Sequence, residues 1–294
     1  MKSGYVSIVG EPNVGKSTLL NMLLGEKLAI VTPKPQTTRN RITGILTTDE
    51  YQIIFLDTPG MLKPRYKLQE YMVEMVKNAI ADADLILYMI DVSHLPREDI
   101  EKEILDMIKS SGKKAVLVMN KIDLISKPML LPLMAAYKDK FDFADIVPIS
   151  ALKNDGLDIL VKVIVEHLPE GPMLFPPDQI SDLPVRFFVG ELIREKVFLL
   201  TRQEIPYASS VMVEEFKERE SGVIYIRATI FVEKDSQKKI IIGKGGNMLK
   251  KIGTMAREEL EASFGKPVYL ELWVKVREKW RQNPKDLKEL GYAP

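Results

Sequence analysis

An α/β layer structure with a mostly parallel sheet, followed by a smaller α+β domain, is the fold class that three features of this sequence predict. Short apolar runs alternate with helical patterns from residue 5 to residue 168. A proline-dense stretch then interrupts at 169–184. From 185 to 294, strands with one apolar and one polar face replace the continuous apolar runs. A chain of 294 residues exceeds most single domains, in agreement with a division in two.

Taken in order, YVSIV (5–9), IIFLD (53–57), LILYMI (85–90), AVLVM (115–119) and IVPIS (146–150) have the length and composition of strands buried on both faces. Segments 17–24, 69–82, 98–110, 128–140 and 156–168 carry the helical period between them. Strand–helix alternation of this kind builds a parallel sheet with crossover helices. The stretch PEGPMLFPPDQISDLP at 169–184 has five prolines in sixteen residues. Proline lacks a backbone donor and fixes φ, so neither a helix nor a central strand runs through it. It reads as a semi-rigid linker between domains 1–168 and 185–294.

After the linker, 185–200 carries a helical stripe of Phe188, Val189, Leu192, Val197 and Leu200. VIYIRATIFV (223–232) alternates cleanly, with Ile224, Ile226, Ala228, Ile230 and Val232 on one face. VYLELWVKVR (268–277) does the same through Val268, Leu270, Leu272, Val274 and Val276. Such alternation indicates a sheet covered on a single side. DSQKKII reads as a short helix, and 247–262 places Leu249, Ile252, Ala256 and Leu260 at helical spacing. The final NPKDLKELGY reads as a short helix docking back on the domain.

Composition excludes several classes. Without cysteine there are no disulfides or thiolate metal sites, which suits a reducing cytosol. The two histidines, His94 and His167, are too far apart in sequence to suggest a shared metal site. No apolar run approaches membrane-spanning length. The net charge of +1 conceals an uneven distribution. From Lys238 to Arg281 eleven Lys/Arg stand against five Asp/Glu, so this stretch carries +6 and the remainder sums to −5.

GEPNVGKS at 10–17 matches the phosphate-loop pattern G-x-x-x-x-G-K-S/T and sits between a strand and a helix, where that device belongs. Gly10 and Gly15 let the loop Glu11, Pro12, Asn13, Val14 curl so that its N–H groups face phosphate oxygens. Lys16 would reach the β- and γ-phosphates, and the Ser17 hydroxyl, beside Thr18, would bind Mg2+. Asp57 in DTPG (57–60) would hold Mg2+ through water; Thr58 and Pro59 lead to Gly60, whose N–H would meet the γ-phosphate. In Asn120-Lys121-Ile122-Asp123 an amide and a carboxylate can read guanine, Asn120 on the N7/O6 edge and Asp123 accepting from N1–H and N2–H2. Adenine offers no such donor pair, and a buried Asp left without one disfavours it. Ser150, Ala151 and Leu152 follow the next strand, with the Ala151 N–H available to guanine O6.

With these motifs, residues 5–168 resemble a small GTPase domain of the translation-factor-related class, a P-loop fold that implies GTP and GDP as ligands. The resemblance puts the magnesium-binding switch threonine in PQTTRNR (35–41), with Thr38 preferred over Thr37. It implies catalytic parts for Lys16, Thr38, Gly60 and Asn13 and a metal set of Ser17, Thr38 and Asp57. Met61 departs from the Ras-like pattern, which has a water-orienting glutamine after DTPG. In relatives with an apolar residue there, an asparagine in the phosphate loop helps bind a potassium ion. Asn13 occupies that place, so slow intrinsic turnover stimulated by potassium is expected.

The second glycine loop, IIGKGG at 241–246, is a different device. No Ser or Thr follows Lys244, and the preceding segment is no apolar strand. The order helix–strand–strand–helix–helix–strand with GxxG between the paired helices resembles a type II KH domain, an RNA-binding fold. Its expected contacts are Gly243, Lys244, Gly245 and Gly246 on the backbone and Ile241 and Ile242 on the groove floor. Lys250, Lys251, Lys275, Arg277 and Arg281 would add positive charge. Trp273 and Trp280 read as packing residues. PNVGKSTLLN, PQTTR, DTPG, NKID, IIGKGG and WVKVREKWR together resemble the bacterial Era GTPase family over essentially the whole chain. That resemblance implies a monomeric, GTP-controlled factor in small ribosomal subunit assembly, binding the 3′ end of 16S rRNA. It further implies a cytoplasmic protein with peripheral contact to the inner membrane. The alternative is an RNA-binding module that senses GTP and GDP with negligible hydrolysis.

Overall fold

Runs of β-branched and aromatic residues that cannot tolerate water on either side form the first sheet. In the computed structural model, which describes residues 1–292, the chain divides into two units. The first comprises Met1–Ala29, Thr38–Arg65 and Gln69–Asp182. Its elements are β1 (Lys2–Val9), α1 (Lys16–Leu24), β2 (Ile42–Thr47), β3 (Tyr51–Asp57), α2 (Lys67–Asp82), β4 (Leu85–Asp91), α3 (Glu98–Ser111), β5 (Lys114–Asn120), α4 (Lys127–Lys140), β6 (Asp145–Pro148) and α5 (Leu157–His167). The sheet order is β2-β3-β1-β4-β5-β6, parallel apart from the antiparallel β2–β3 pair. Every residue of β4 is buried. Val76 of α2, Ile104 of α3 and Tyr137 of α4 pack on Tyr88, Ile90 and Leu117. Chain direction across the sheet reverses between β3 and β4, the neighbours of β1, so the loop after β1 sits at the switch point where such sheets take ligands.

The sequence pattern misses β2, because ITGILT has a glycine at its centre and glycine weakens a strand signal. Packing requires that glycine: a Cβ on Gly44 would lie 2.6 Å from the Leu20 and Leu24 side chains of α1. Residues 169–182, read from sequence as a free linker, belong to the first unit. Their non-proline residues find partners there. Gly171 N donates to Met1 O (3.1 Å), the Gln52 side chain accepts from Leu174 N and Phe175 N, and Ile45 N donates to Ile180 O (2.9 Å). The last contact covers edge strand β2, which would otherwise present unpaired backbone groups.

The second unit runs from Leu183 and includes two short stretches from upstream, Ile30–Thr37 and Tyr66–Leu68. Its elements are α6 (Val185–Leu200), α7 (Ile205–Ala208), β7 (Ser210–Glu218), β8 (Ile224–Val232), α8 (Asp235–Ile242), α9 (Asn247–Phe264), β9 (Val268–Val276) and α10 (Pro284–Glu289). The three strands lie in the order β7-β8-β9, with β7 antiparallel and β9 parallel to β8. The alternating apolar face of β8 is buried throughout, against Val189, Ile193 and Val197 of α6 and Ile252 and Ala256 of α9. Strand β7 escapes sequence reading because its register shifts between Val213 and Glu215, which breaks the two-residue period. Helix α6 buries charge as well as apolar surface: Glu191, Arg194, Glu195 and Lys196 are all under a tenth exposed.

The tail packs as expected. Trp280 is fully buried, donates to Ala208 O (2.9 Å) and stacks on Tyr292, whose hydroxyl meets Ser210 Oγ at 2.8 Å. Trp273 departs from the packing expectation and is 53% exposed, because β9 turns it onto the sheet face away from the helices.

Candidate nucleotide site and nucleic-acid groove

At the end of β1 the chain turns through Gly10–Gly15 and enters α1 at Lys16. Gly15 has φ 104° at the helix N-cap, a left-handed conformation, and a Cβ there would lie 2.3 Å from the Asn120 amide. Asn13 also has positive φ, at 65°. Gly60 needs its missing side chain for space, since a Cβ would stand 2.6 Å from the Pro12 backbone. Thr58 Oγ1 donates to Ile8 O (2.7 Å) and Met61 N to Gly10 O (2.9 Å), which draws the 57–60 turn against the phosphate loop.

Three side chains bearing oxygen converge at the start of α1. Ser17 Oγ donates to Asp57 Oδ2 at 2.7 Å and lies 2.8 Å from Thr38 Oγ1. Asp57 is fully buried, and its other carboxylate oxygen, Oδ1, has no hydrogen-bond partner among the described residues. A buried carboxylate oxygen left over beside two hydroxyls is a donor set for a small hard cation. Burial dominates the electrostatics: it raises the Asp57 carboxyl to about 6, against the opposing pull of Lys16 and the Ser17 hydrogen bond. Burial likewise lowers the Lys16 ammonium to about 8, while Asp57 and Glu11 pull it upward. Lys16 Nζ donates to Gly10 O (3.2 Å) and Glu11 O (2.9 Å), so it folds back along its own loop. Of the two candidate threonines, Thr38 faces Ser17, while the carbonyl of Thr37 accepts from Arg194.

The remaining loops meet at one edge. Asn120, expected to read the guanine edge, also serves the scaffold. Nδ2 donates to Val14 O (2.7 Å) and Oδ1 accepts from Ala151 N (2.9 Å), so it ties the phosphate loop to the 150–152 loop. Lys121 Nζ reaches Asn13 O (2.8 Å) and Asp91 Oδ2 (2.5 Å). Asp91 closes β4 and went unnoticed in the sequence, where it reads as the end of an apolar strand. Asp123 is exposed, against the sequence expectation of a buried carboxylate. Ser150 and Ala151 are buried, Ile122 is half-buried, and Leu152 points to solvent. Met61 is wholly buried in the cluster around Tyr88 and Ile90 and offers no group to a water molecule.

The second loop lies between α8 and α9. Gly243, Gly245 and Gly246 all have positive φ, at 74°, 61° and 80°. Beside the loop runs a groove of about 410 Å³, lined by Gly246, Leu249, Lys250, Gly253, Thr254 and Arg257 of the loop and α9 and by Leu270 and Leu272 of β9. Lys244, Lys250 and Lys251 are exposed. The groove floor is not the expected one. Ile241 is fully buried in the core, with Ile242 packed against the same cluster, and leucines 249, 270 and 272 take the place foreseen for them. These leucines sit in the apolar stripes of α9 and β9, and a periodicity argument does not separate a core leucine from one lining a groove. Lys275, Arg277 and Arg281 do not line the groove either. Lys275 stands 3.5 Å from Glu214, Arg277 pairs with Asp286 (2.8 Å) and Glu289, and Arg281 pairs with Glu233 (2.5 Å).

Comparison with known proteins agrees with both halves. A family described as 50S ribosome-binding GTPase matches residues 5–121, and the KH domain family matches residues 204–281. GTPase Era of Geobacter metallireducens is 52% identical over 293 residues, covering 99% of this chain and 98% of that protein. GTPase Era of Ruminiclostridium cellulolyticum is 49% identical, with coverages of 99% and 97%. Among solved structures, an Aquifex aeolicus Era variant bound to GDP and aluminium fluoride matches with TM-score 0.97 and 47% identity, over 100% of both chains. Era in complex with MgGDPNP and nucleotides 1506–1542 of 16S ribosomal RNA matches with TM-score 0.97 and 48% identity, again over 100% of both chains.

Proposed function

Since this chain belongs to the GTPase Era family, we propose that it is a GTP-hydrolysing switch that binds 16S rRNA near its 3′ end during small ribosomal subunit assembly. The observation that carries the nucleotide half is the convergence of Ser17, Thr38 and the unsatisfied Asp57 Oδ1 at the mouth of the glycine loop. Magnesium bound with the triphosphate supplies charge neutralisation across the β- and γ-phosphates. Ser17 and Thr38 would hold it directly and Asp57 through a water molecule. The backbone N–H groups from Asn13 to Thr18 wrap the phosphates, Lys16 swings from its loop carbonyls to the γ-phosphate, and Gly60 donates its N–H to the same group. Asp123 accepts from guanine N1–H and N2–H2, while Asn120 meets its N7/O6 edge and ties the two flanking loops together. Asn13 with its neighbours would seat a potassium ion that compensates transition-state charge.

The RNA half rests on the groove. Gly243–Gly246 let a nucleic-acid backbone approach, Lys244, Lys250 and Arg257 meet phosphates, and leucines 249, 270 and 272 supply an apolar floor for unstacked bases. No helix among the described residues is long and apolar enough to cross a membrane. We place the protein in the cytoplasm, with its contact to the inner membrane peripheral.

Burial of Met61 favours one second reading, a sensor that binds GTP and GDP but scarcely hydrolyses. Single-turnover hydrolysis, in potassium and in sodium buffer and with or without a 16S 3′-end oligonucleotide, separates the two. The switch requires phosphate release that rises with potassium or RNA; release at the uncatalysed rate in every condition leaves the sensor. Titration with GTP and ATP tests the shared premise, since equal affinities for the two would end both readings.

A further inference from the structure

We propose that Gly253 is the seat of one unstacked RNA base: with no side chain there, the groove wall opens opposite Leu272 and a base lies flat against the α9 backbone. That role rests on the reading of this groove as the RNA path and names the residue that admits a base. Glycine inside a helix is disfavoured, second only to proline, because its backbone gives up the most freedom. At other glycines a local demand accounts for the choice. Gly243, Gly245 and Gly246 have positive φ, and a Cβ on Gly44 or Gly60 would stand 2.6 Å from its neighbours. Gly190, inside α6, is buried beside the backbone carbonyl of Val211, 3.6 Å from a Cβ. Gly253 has none of these reasons. Its φ is not positive, it is half-buried, and a Cβ would meet only Leu272 Cδ1, at 3.4 Å, an ordinary contact with the end of a side chain.

The groove in front of Gly253 supplies the reason that packing lacks. Gly246, Lys250, Gly253 and Arg257 recur every three or four residues, so they form one stripe of α9, and all four line the groove. The adjoining stripe, Ile252, Ala256 and Leu260, is buried in the core. Within the groove stripe the exposed cations Lys250 and Arg257 stand before and after Gly253, about 10 Å apart at 1.5 Å of rise per residue. Phosphates meet the two cations. The nucleotide between them therefore brings its planar, uncharged part to the bare helix and to the half-buried Leu272. Thr254, next along the wall, adds a hydroxyl that can donate to or accept from the edge of that base. An alanine methyl at 253 would stand between base and backbone, and a leucine would fill the seat.

The test uses the full-length protein and a 16S 3′-end RNA oligonucleotide, together with versions that each lack one base but keep its sugar and phosphate. G253A, G253L and the parent are compared by filter binding, by salt slope and by thermal midpoint. G253A should weaken RNA binding about tenfold and G253L about a hundredfold, the range for small misfits in an apolar pocket. Thermal midpoints should rise in both variants, since each replaces glycine by a better helix former. The slope of log affinity against log salt should keep the parent's value, because no phosphate contact is removed. One abasic oligonucleotide should erase the difference between G253L and the parent, as two changes at a single contact do. If G253L does not fold, G253A decides. Should both variants bind like the parent while Lys244 and Gly245 changed together to Asp abolish binding, the seat is overturned and the groove stands. If that pair of aspartates also leaves binding intact, the groove reading falls and the seat with it. Lost affinity beside a lowered thermal midpoint would make Gly253 a packing residue, and equal losses on every abasic oligonucleotide would leave it facing no base; either result overturns the seat.

Discussion

Asp57 and Lys16 show how the ligand-free site is tuned against itself. Asp57 titrates near 6 in the fold against 3.8 as a free side chain, because burial disfavours its charge. Between about pH 4 and 6 the native state therefore holds a proton that the unfolded chain has released, and stability falls as pH rises through that window. The contribution is on the order of 3 kcal/mol at most, by the free-energy equivalent of each pKa unit. Urea midpoints of the ligand-free protein should decline between pH 4 and 6, and Asp57→Asn should flatten that decline; a parallel slope in the variant would remove Asp57 as its cause. Asp123 supports a prediction that stability does not touch, because it is exposed. Asp123→Asn should cut the preference for GTP over ATP about a hundredfold, the equivalent of two lost hydrogen bonds to a charged acceptor, with the thermal midpoint unchanged. The measurement is the ratio of the two dissociation constants. Residue chemistry of this kind was legible because the phosphate loop, DTPG and NKID confine each side chain to one end of a strand. The scaffold bonds of Asn120 were not, since only coordinates reveal that it bonds Val14 and Ala151.

Elements were legible wherever one period persisted. Strand β4 and helix α6 fall where the apolar patterns put them, whereas β2 and β7 were lost to a central glycine and a register shift. The charges of α6 were illegible for another reason: a helix with Glu191, Arg194 and Glu195 on one side implies a wet face, and nothing local shows that Val31 and Thr37 bond to it. The groove was half legible, its glycines and lysines plain but its leucine floor indistinguishable from core. The α8–α9 turn can be tested as a unit. Changing Lys244 and Gly245 together to Asp puts two negative charges where phosphates would lie; among the described residues nothing but the chain neighbours stands within 4 Å of a Cβ at Gly245, and its φ of 61° is one that aspartate adopts more readily than most side chains. RNA affinity should fall by two orders of magnitude or more while GTP affinity holds within about twofold, the first effect being electrostatic and local. Filter binding and nucleotide titration on the same preparation check both. The sheet beneath is governed by packing: Ile226 of β8 is fully buried among Val189, Ile193 and Ile252. Ile226→Ala should cost about 2–5 kcal/mol, the range for truncating a buried isoleucine, read from denaturant midpoints.

Over the whole molecule the charges nearly cancel, yet the stretch Lys238–Arg281 carries +6. Much of that excess is neutralised within the fold. Lys275, Arg277 and Arg281 meet Glu214, Asp286, Glu289 and Glu233, and Lys266 meets Glu218. Of the other seven cations in the stretch, four stand at the glycine loop and along the groove helix: Lys244, Lys250, Lys251 and Arg257. This distribution makes RNA binding a local electrostatic event, not attraction by a generally basic protein. Each phosphate neutralised on a single strand contributes about −0.7 to the slope of log affinity against log salt, so four give a slope of about −3. The whole excess of +6 would instead give about −4, and a near-neutral chain acting through its net charge would give almost none. Measured between 50 and 300 mM potassium chloride, the slope should lie near −3. Lys250→Ala should bring it to about −2 by removing one phosphate contact, whereas Lys275→Ala should leave it unchanged because that lysine stands on the other face of β9 beside Glu214. A change of slope in the second variant equal to that in the first would move the RNA path from the groove to the open sheet.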